Sequence, residues 1–230
     1  MDIKIPYTPR KHQAYLHKKI SENRWNVLVC HRRFGKTVCM INHLIRSALL
    51  SKNKNPRYAY IAPTFKQAKS IAWDYMKQFT AKIPYTKFNE TELRVDLPNG
   101  SRITLLGSEN SDGLRGIYLD GCVIDEYANV NERLFPEIIR PALSDRKGYC
   151  VFIGTPQGMN NNFYELYQHA QGADDWFNYK AKASQTKIVD DEELQKAKEV
   201  MGEKKYLQEF ECDWIANIEA VSYTHLTLPT

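Results

Sequence analysis

The sequence predicts an α/β fold, a mainly parallel sheet flanked by helices with a small lid subdomain toward the C-terminal end, and three stretches carry that expectation. The first is Val27-Leu-Val-Cys-His-Arg-Arg-Phe-Gly-Lys-Thr-Val38, an apolar run followed by a compact basic loop and a helix-compatible sequence. The second is Leu119-Asp-Gly-Cys-Val-Ile-Asp-Glu126, an apolar strand that closes in two acids about 90 residues after Lys36. The third is Gly148-Tyr-Cys-Val-Phe-Ile-Gly-Thr-Pro156, again apolar and again ending in a polar turn. Short continuous apolar runs, separated by helical periodicity, are what strands buried on both faces require.

Composition agrees with one large domain. The chain has 230 residues, 43% hydrophobic and 26% charged, enough to bury a sizeable core. The net charge of +5 is unevenly placed: residues 1–60 hold 13 Lys/Arg against 2 Asp/Glu, which favours a polyanion or nucleotide partner near the first stretch. Cys30, Cys39, Cys122, Cys150 and Cys212 show no C-x-x-C spacing, and most stand in apolar contexts, so they read as reduced core thiols of a cytosolic protein. No signal-peptide pattern or membrane-spanning apolar run is present, which argues against export and against a membrane partner.

Taken in order, Thr8-Pro9 suits the cap and first turn of a helix running to about Asn23. Gln13 on that helix could read the Watson–Crick edge of adenine with its donor and its acceptor; a solvated glutamine is the alternative. Asn26 to His31 is the first strand, and Lys36 to Ser51 the helix after it, with Val38, Ile41, Leu44, Ile45, Ala48 and Leu49 on one face. Between them the loop is suited to phosphate. Gly35 allows the turn that points N–H groups of the loop inward, Lys36 supplies a point charge, and Thr37 offers a hydroxyl to Mg²⁺. Arg32, Arg33 and Phe34 complete the loop. Cys30 stands where the pattern G-x-x-x-x-G-K-[ST] has its first Gly, so a basic loop heading an ordinary surface helix is the competing reading.

Tyr58-Ala-Tyr-Ile-Ala62 is a second strand, and Thr64 caps a helix running to about Ile83. Pro63-Thr64 is either that cap alone or a DNA-tracking motif of the kind found in helicase-like ATPases. Glu92–Leu97 and Ser101–Leu106 alternate in polarity around Pro98-Asn99-Gly100, a hairpin signal. At the end of the second stretch, Asp125 is placed to hold Mg²⁺ and Glu126 to orient and deprotonate a water. After the third, Gly154 and Thr155 are placed to sense the γ-phosphate and pass the signal on. A helix over Asn161–Gln171, a strand over Trp176–Ala183 and a helical stretch from Asp190 to Cys212 complete the sheet and form the lid. The last ten residues, Val221 to Thr230, read like an in-frame translation of a transposase-type sequencing adapter and are set apart from the fold.

With these pieces assembled, the chain resembles the N-terminal ATPase domain of the large terminase subunit of tailed phages or prophages. The resemblance rests on Tyr7-Thr-Pro-Arg-Lys-His-Gln13, His31-Arg-Arg-Phe-Gly-Lys-Thr37, Tyr60-Ile-Ala-Pro-Thr64, Leu114-Arg-Gly116, Val123-Ile-Asp-Glu126, Ile153-Gly-Thr-Pro156 and Phe210-Glu-Cys-Asp-Trp-Ile215. The loop form without a leading Gly is itself terminase-like. The resemblance implies a P-loop NTPase fold of the RecA/ASCE type over residues 1–219, with the lid over about 160–219. It implies ATP and Mg²⁺ as cofactors, Gln13 with Arg10 or Tyr7 at adenine, and Lys36 and Glu126 in catalysis. Arg115 would reach a neighbouring subunit's ATP, or else be a surface residue paired with Asp112 or Asp120. Implied partners are double-stranded DNA, the portal protein, the small terminase subunit and other copies in a ring on the portal, all in the cytoplasm of the host bacterium. An RNase H-like nuclease domain is expected after Ile218 in full-length members and is not expected in this fragment. Two alternatives stand beside this. A helicase-type ATPase would carry Ser-Ala-Thr where this chain has Gly154-Thr155-Pro156. A non-catalytic nucleotide- or DNA-binding module would have no need of Lys36, Asp125 and Glu126 together.

Overall fold

The computed structural model describes residues 5–215; the adapter-like stretch 221–230 and the junction after Ile218 lie outside the described residues. Helix α1 (Lys11–Glu22) leads into β1 (Trp25–Cys30), α2 (Lys36–Leu50) and β2 (Arg57–Ala62). One helical stretch then combines α3 (Phe65–Gln67), a π-helical turn over Ala68–Trp73 and α4 (Asp74–Thr80). Strands β3 (Lys87–Asn89), β4 (Arg94–Asp96), β5 (Arg102–Gly107) and β6 (Gly121–Asp125) follow, then a second π-helical turn over Phe135–Ile139 that runs into α5 (Arg140–Ala142). The rest is β7 (Tyr149–Gly154), α6 (Asn162–Gln171), β8 (Trp176–Ala181), α7 (Ala183–Thr186), α8 (Asp191–Met201) and α9 (Glu203–Phe210).

All the strands join one eight-stranded sheet in the order β3-β4-β5-β2-β6-β7-β1-β8. From β5 to β8 every neighbouring pair is parallel, and β3-β4-β5 is antiparallel. Alternation along the strands sorts their side chains into two cores, because successive residues face opposite sides. Leu28, Tyr60, Val123 and Ile153 pack under α1, α2 and α4. Val29, Ile61, Ile124 and Phe152 pack against α6 and the Phe135–Ala142 helical segment. Removing such side chains from water is worth roughly 1.5–3 kcal/mol each, which fixes the sheet as the frame of the molecule. A third, small cluster of Ala183, Leu194 and Phe210 joins α7, α8 and α9. All five cysteines are buried and free.

Several elements depart from expectation. Helix α1 begins at Lys11 rather than at Thr8-Pro9, because the Arg10 amide donates to Gln13 Oε1 at 3.0 Å in the manner of a capping box. The helix capped by Thr64 ends at Thr80 and contains the π-turn. The stretch from Asp190 to Cys212 is two helices broken at Gly202, whose amide closes on the Lys198 carbonyl at 3.0 Å. Strand β3, helix α7 and the Phe135–Ala142 helical segment have no counterpart in the sequence reading. On α2 the buried set is wider than one stripe and takes in Cys39, Met40, Asn42 and His43, since both the sheet and neighbouring helices cover it. Among the described residues no helix is long and apolar enough to cross a membrane.

Candidate functional site

The loop between β1 and α2 lies at the C-terminal ends of the parallel strands, where open α/β sheets form ligand crevices. It turns tightly: the Phe34 amide donates to the His31 carbonyl at 3.3 Å, and Arg33 and Gly35 both take positive φ, +70° and +87°. At Gly35 a side chain would be strained by that φ and would meet Gln13 Nε2 at 2.9 Å. Helix α2 then starts at Lys36 with no acid in its first turn, so its unpaired N–H groups face the crevice as an anion site.

Lys36 is the hub. Its Nζ donates to Thr155 Oγ1 at 2.9 Å and lies 3.4 Å from Glu126 Oε1, and Thr155 in turn donates to the Cys30 carbonyl at 3.3 Å. The strand order explains the meeting: β7 lies between β6 and β1, so the residue after β7 stands between the acids that close β6 and the loop that follows β1. Burial of the ammonium pulls its pKa down, but Glu126 and Asp125 more than offset this, and it stands above the usual lysine value.

Asp125 is buried at the end of β6. Its Oδ2 accepts from the Tyr60 hydroxyl and its Oδ1 from the Glu126 amide at 2.9 Å. Burial, then the charge of Glu126, push its carboxyl up to about 6, against the opposing pull of Lys36 and the Tyr60 hydroxyl. Glu126 adopts φ +47°, a left-handed conformation uncommon for a side chain of this size, at the point where the strand gives way to the short turn Tyr127–Asn129. Gly154 permits this arrangement: a Cβ there would lie 3.4 Å from Glu126 Cα and 3.2 Å from the Phe163 ring.

Tyr60 was missed in the sequence. Its hydroxyl contacts the Thr37 side chain as well as Asp125, and burial with the neighbouring carboxylate raises its pKa well above the ordinary phenol value. The only signal available was the period-2 alternation of Tyr58 and Tyr60 on the strand before Pro63-Thr64. His31 was also missed: buried, its Nδ1 meets the Arg32 carbonyl at 2.6 Å and its Nε2 the Thr186 hydroxyl at 2.8 Å, tying the loop to α7. The Arg32 amide donates to the Glu209 carbonyl at 2.7 Å, tying it to α9.

The remaining residues singled out from the sequence fall in three places. Gln13 backs the loop, donating to the Gly35 carbonyl at 3.4 Å, with Tyr7 within 3.5 Å of its Oε1 and Arg10 donating to the Phe34 carbonyl at 3.5 Å. Arg32 and Arg33 are exposed on the loop, whereas Phe34 is buried beneath it. Arg115 is not gathered around Lys36; its side chain is 56% exposed and faces Glu137 at 3.5 Å. Asp120, a partner considered for it, instead accepts from Asn53 at 2.6 Å and from the Arg57 amide at 2.8 Å. The side chain of Asp112, the other partner considered, lies outside the described residues.

Thr37 and Asp125 offer a hydroxyl and a carboxylate, oxygen donors of the kind hard cations take. Among the described residues no group of three or more His, Cys, Asp or Glu could enclose an ion. Mg²⁺ keeps several waters and binds through one or two carboxylates together with phosphates of a substrate, so a hydroxyl and a desolvated carboxylate beside a phosphate loop suit Mg²⁺ carried on a nucleotide.

A family model described as terminase large subunit, T4likevirus-type, N-terminal, matches residues 29–221. The terminase large subunit of Thermus phage G20c is 26% identical over 182 residues, taking in 71% of this chain and 36% of the phage protein. The chain therefore spans about a third of the length of the curated relatives it matches. The large terminase ATPase domain of Thermus phage P74-26 superposes with a TM-score of 0.76 at 21% identity, covering 92% of this chain and 96% of that one. The large terminase of a thermophilic bacteriophage, solved in complex with ADP, gives 0.76 at 16% identity over 89% of this chain and 53% of that one. At those identities the two structures establish a shared fold: the sheet built here from β1 to β8, with helices on both faces, is that of terminase ATPase domains. Membership rests on the family model, which runs through the phosphate loop, the acidic strand and Gly154-Thr155, and by it this chain belongs to the terminase large subunit family, T4likevirus-type, N-terminal part.

Proposed function

We propose that the chain is the ATPase part of a viral DNA-packaging motor, hydrolysing ATP to drive double-stranded DNA into a procapsid. The observation that carries the proposal is the convergence of Lys36, Asp125, Glu126 and Thr155 at the C-terminal ends of β1, β6 and β7. The ADP complex of the thermophilic-phage terminase supports nucleotide binding by this fold.

The residues divide the work as follows. The N–H groups at the start of α2 and the Lys36 ammonium hold the β- and γ-phosphates, with Arg32 and Arg33 adding charge at the mouth of the loop. Thr37 and Asp125 would hold Mg²⁺, and the ion would supply positive charge toward the phosphoryl oxygens. As Lys36 turns to phosphate it leaves Glu126 Oε1, and the freed carboxylate orients the attacking water and takes its proton, a contribution of roughly 10²- to 10⁴-fold. Thr155, now bonded to Lys36, registers whether the γ-phosphate is present and relays that through Gly154 and β7. Gln13, with Tyr7 and Arg10, reads adenine; Arg115 acts on the ATP of a neighbouring copy in a ring. Portal protein and small terminase subunit are the expected partners, and the host cytoplasm the place of action. The deciding experiment measures nucleotide affinity and phosphate release by the parent and by Glu126→Gln: retained binding with lost hydrolysis is the expected result, and a parent that neither binds nor hydrolyses ATP overturns the proposal.

A further inference from the structure

A second concentration of charge lies at the opposite edge of the sheet. The segments that enter β2, β7 and β1 at their N-terminal ends carry Lys52, Lys54, Arg57, Arg146, Lys147 and Arg24, and the segment that enters β6 between them carries Tyr118. Among the described residues none of these six makes an ion pair, in contrast to the lysines of α8 and α9: Lys196 meets Glu192 at 2.7 Å, Lys198 meets Glu203 at 2.9 Å and Lys205 meets Glu209 at 2.9 Å. The acids nearby do not neutralise the row. Three carboxylates stand nearby, Asp120 hydrogen-bonded to Asn53 and the Arg57 amide, Glu22 paired with Lys19 at 3.1 Å, and exposed Asp145, and the six cations outnumber them.

The cations are also held in place. The Tyr118 ring carries two guanidinium groups, Arg146 at 4.7 Å and Arg57 at 5.9 Å, and its hydroxyl donates to the Asn55 carbonyl at 3.0 Å. Arg57 donates to the carbonyls of Pro56 and Gly100 at 3.1 Å each, and Arg146 to that of Lys54 at 3.4 Å. Between Arg24 and Lys147 a cavity of about 440 Å³ opens, also lined by Arg46. Like charges gathered without ion-pair partners repel, and neutral carbonyls and an aromatic face offset only part of that. A phosphate polyanion offsets the rest, and the planar fork of arginine suits its oxygens. The row crosses four adjacent strands, and at a strand spacing of ~4.8 Å it is roughly 14 Å long. That length bridges the ~12 Å major groove of B-DNA and reaches the phosphates on both of its walls.

We propose that this edge, centred on Tyr118, Arg57 and Arg146, is a sequence-independent docking surface for the phosphate backbone of double-stranded DNA. The naming of DNA rests on the function proposed above; the polyanion chemistry does not.

The test is fluorescence anisotropy of short labelled duplexes of two unrelated sequences, titrated with the purified chain across a KCl series, with phosphate release from ATP measured in parallel. Replacing three contacts in Lys54→Gln/Arg146→Gln/Lys147→Gln should lower the slope of log affinity against log salt by roughly 2.7, from ~0.9 per phosphate contact, for both sequences alike. Affinity at low salt should fall about tenfold or more, with thermal stability and basal hydrolysis unchanged. Arg146→Lys should recover most of the binding, which a packing defect around Tyr118 would not allow. A triple variant that binds with the parent's slope overturns the proposal and leaves the edge to an acidic protein surface. A slope loss in Lys66→Gln/Lys69→Gln instead, beside Pro63-Thr64, also overturns it and puts DNA on the α3 side. Absence of hydrolysis in a parent that still shows the triple-variant slope loss defeats the nucleotide reading alone and supports this one.

Discussion

Lys36 and Glu126 stand 3.4 Å apart across β7, so the cation of the loop after β1 is held by the carboxylate proposed to activate water. Each therefore restrains the other, and a phosphate bound at Lys36, as proposed, would release Glu126. Glu126→Gln removes a competitor for Lys36 as well as the base. The expected outcome is ATP binding at least as tight as the parent's, with kcat reduced by roughly 10²-fold or more. Lys36→Ala should lose binding itself. Equilibrium binding of a fluorescent ATP analogue beside phosphate release checks both, and undiminished hydrolysis by Glu126→Gln would remove it from the role of base.

Asp125 gives a pH signature. Its carboxyl rises from 3.8 to about 6 on folding, chiefly through burial. The folded state thus holds this proton more tightly than the unfolded chain does, and stability from this group falls as pH rises from about 4 to about 6 and stays low above that. Asp125→Asn carries no such charge. Without nucleotide, the melting temperature of the variant relative to the parent should climb over that window and then level off. Added MgATP should reverse the order, because only the parent gains ligand stabilisation. A difference that is flat with pH would show that the carboxylate is not desolvated as the geometry implies.

How much of this was legible differs from piece to piece. The strands carrying the site were, because β1, β6 and β7 are buried on both faces and read as unbroken apolar runs ending in Gly35-Lys36-Thr37, Asp125-Glu126 and Gly154-Thr155. The hairpin was too, through Asn99-Gly100. Tyr60 and His31 were not: a tyrosine in a strand and a histidine in a loop acquire their partners Asp125 and Thr186 from segments 65 and 155 residues away. Strand β3 is three residues long and mostly exposed, too short for alternation to register. The start of α1 is not legible from Thr8-Pro9, because the Gln13 side chain, the candidate for adenine, accepts from the Arg10 amide and sets the first turn at Lys11.

That second use of Gln13 changes what its removal should do. Its Nε2 donates to the Gly35 carbonyl at 3.4 Å, so Gln13→Ala should loosen the loop and raise the KM for every nucleotide. If Gln13 also reads adenine, the ratio of kcat/KM for ATP over GTP should fall beyond this general loss. Nucleotide competition measured with both triphosphates separates the effects; an unchanged ratio assigns Gln13 to holding the loop alone.

Arg115 is the residue whose proposed role requires another copy of the chain. Its guanidinium lies against Glu137 at 3.5 Å rather than beside Lys36, and Gly116 after it takes φ +81°. Phosphoryl transfer gains most from positive charge at the γ-phosphate in the transition state, and an arginine delivered there in trans is worth roughly 10³- to 10⁵-fold. A partner subunit's phosphate would have to draw the guanidinium from contacts that include Glu137, an exposed pair worth only about 0–1 kcal/mol. In assembled full-length motors, Arg115→Ala alone should be nearly inactive while still binding ATP. Mixed with the inactive Glu126→Gln protein it should regain hydrolysis, because some interfaces then bring an intact Arg115 to an intact Glu126. Glu137→Gln should leave activity in place, since Glu137 only holds the arginine at rest. Mixed rings that assemble from folded subunits yet show no regained phosphate release would return Arg115 to a structural role at the Glu137 surface.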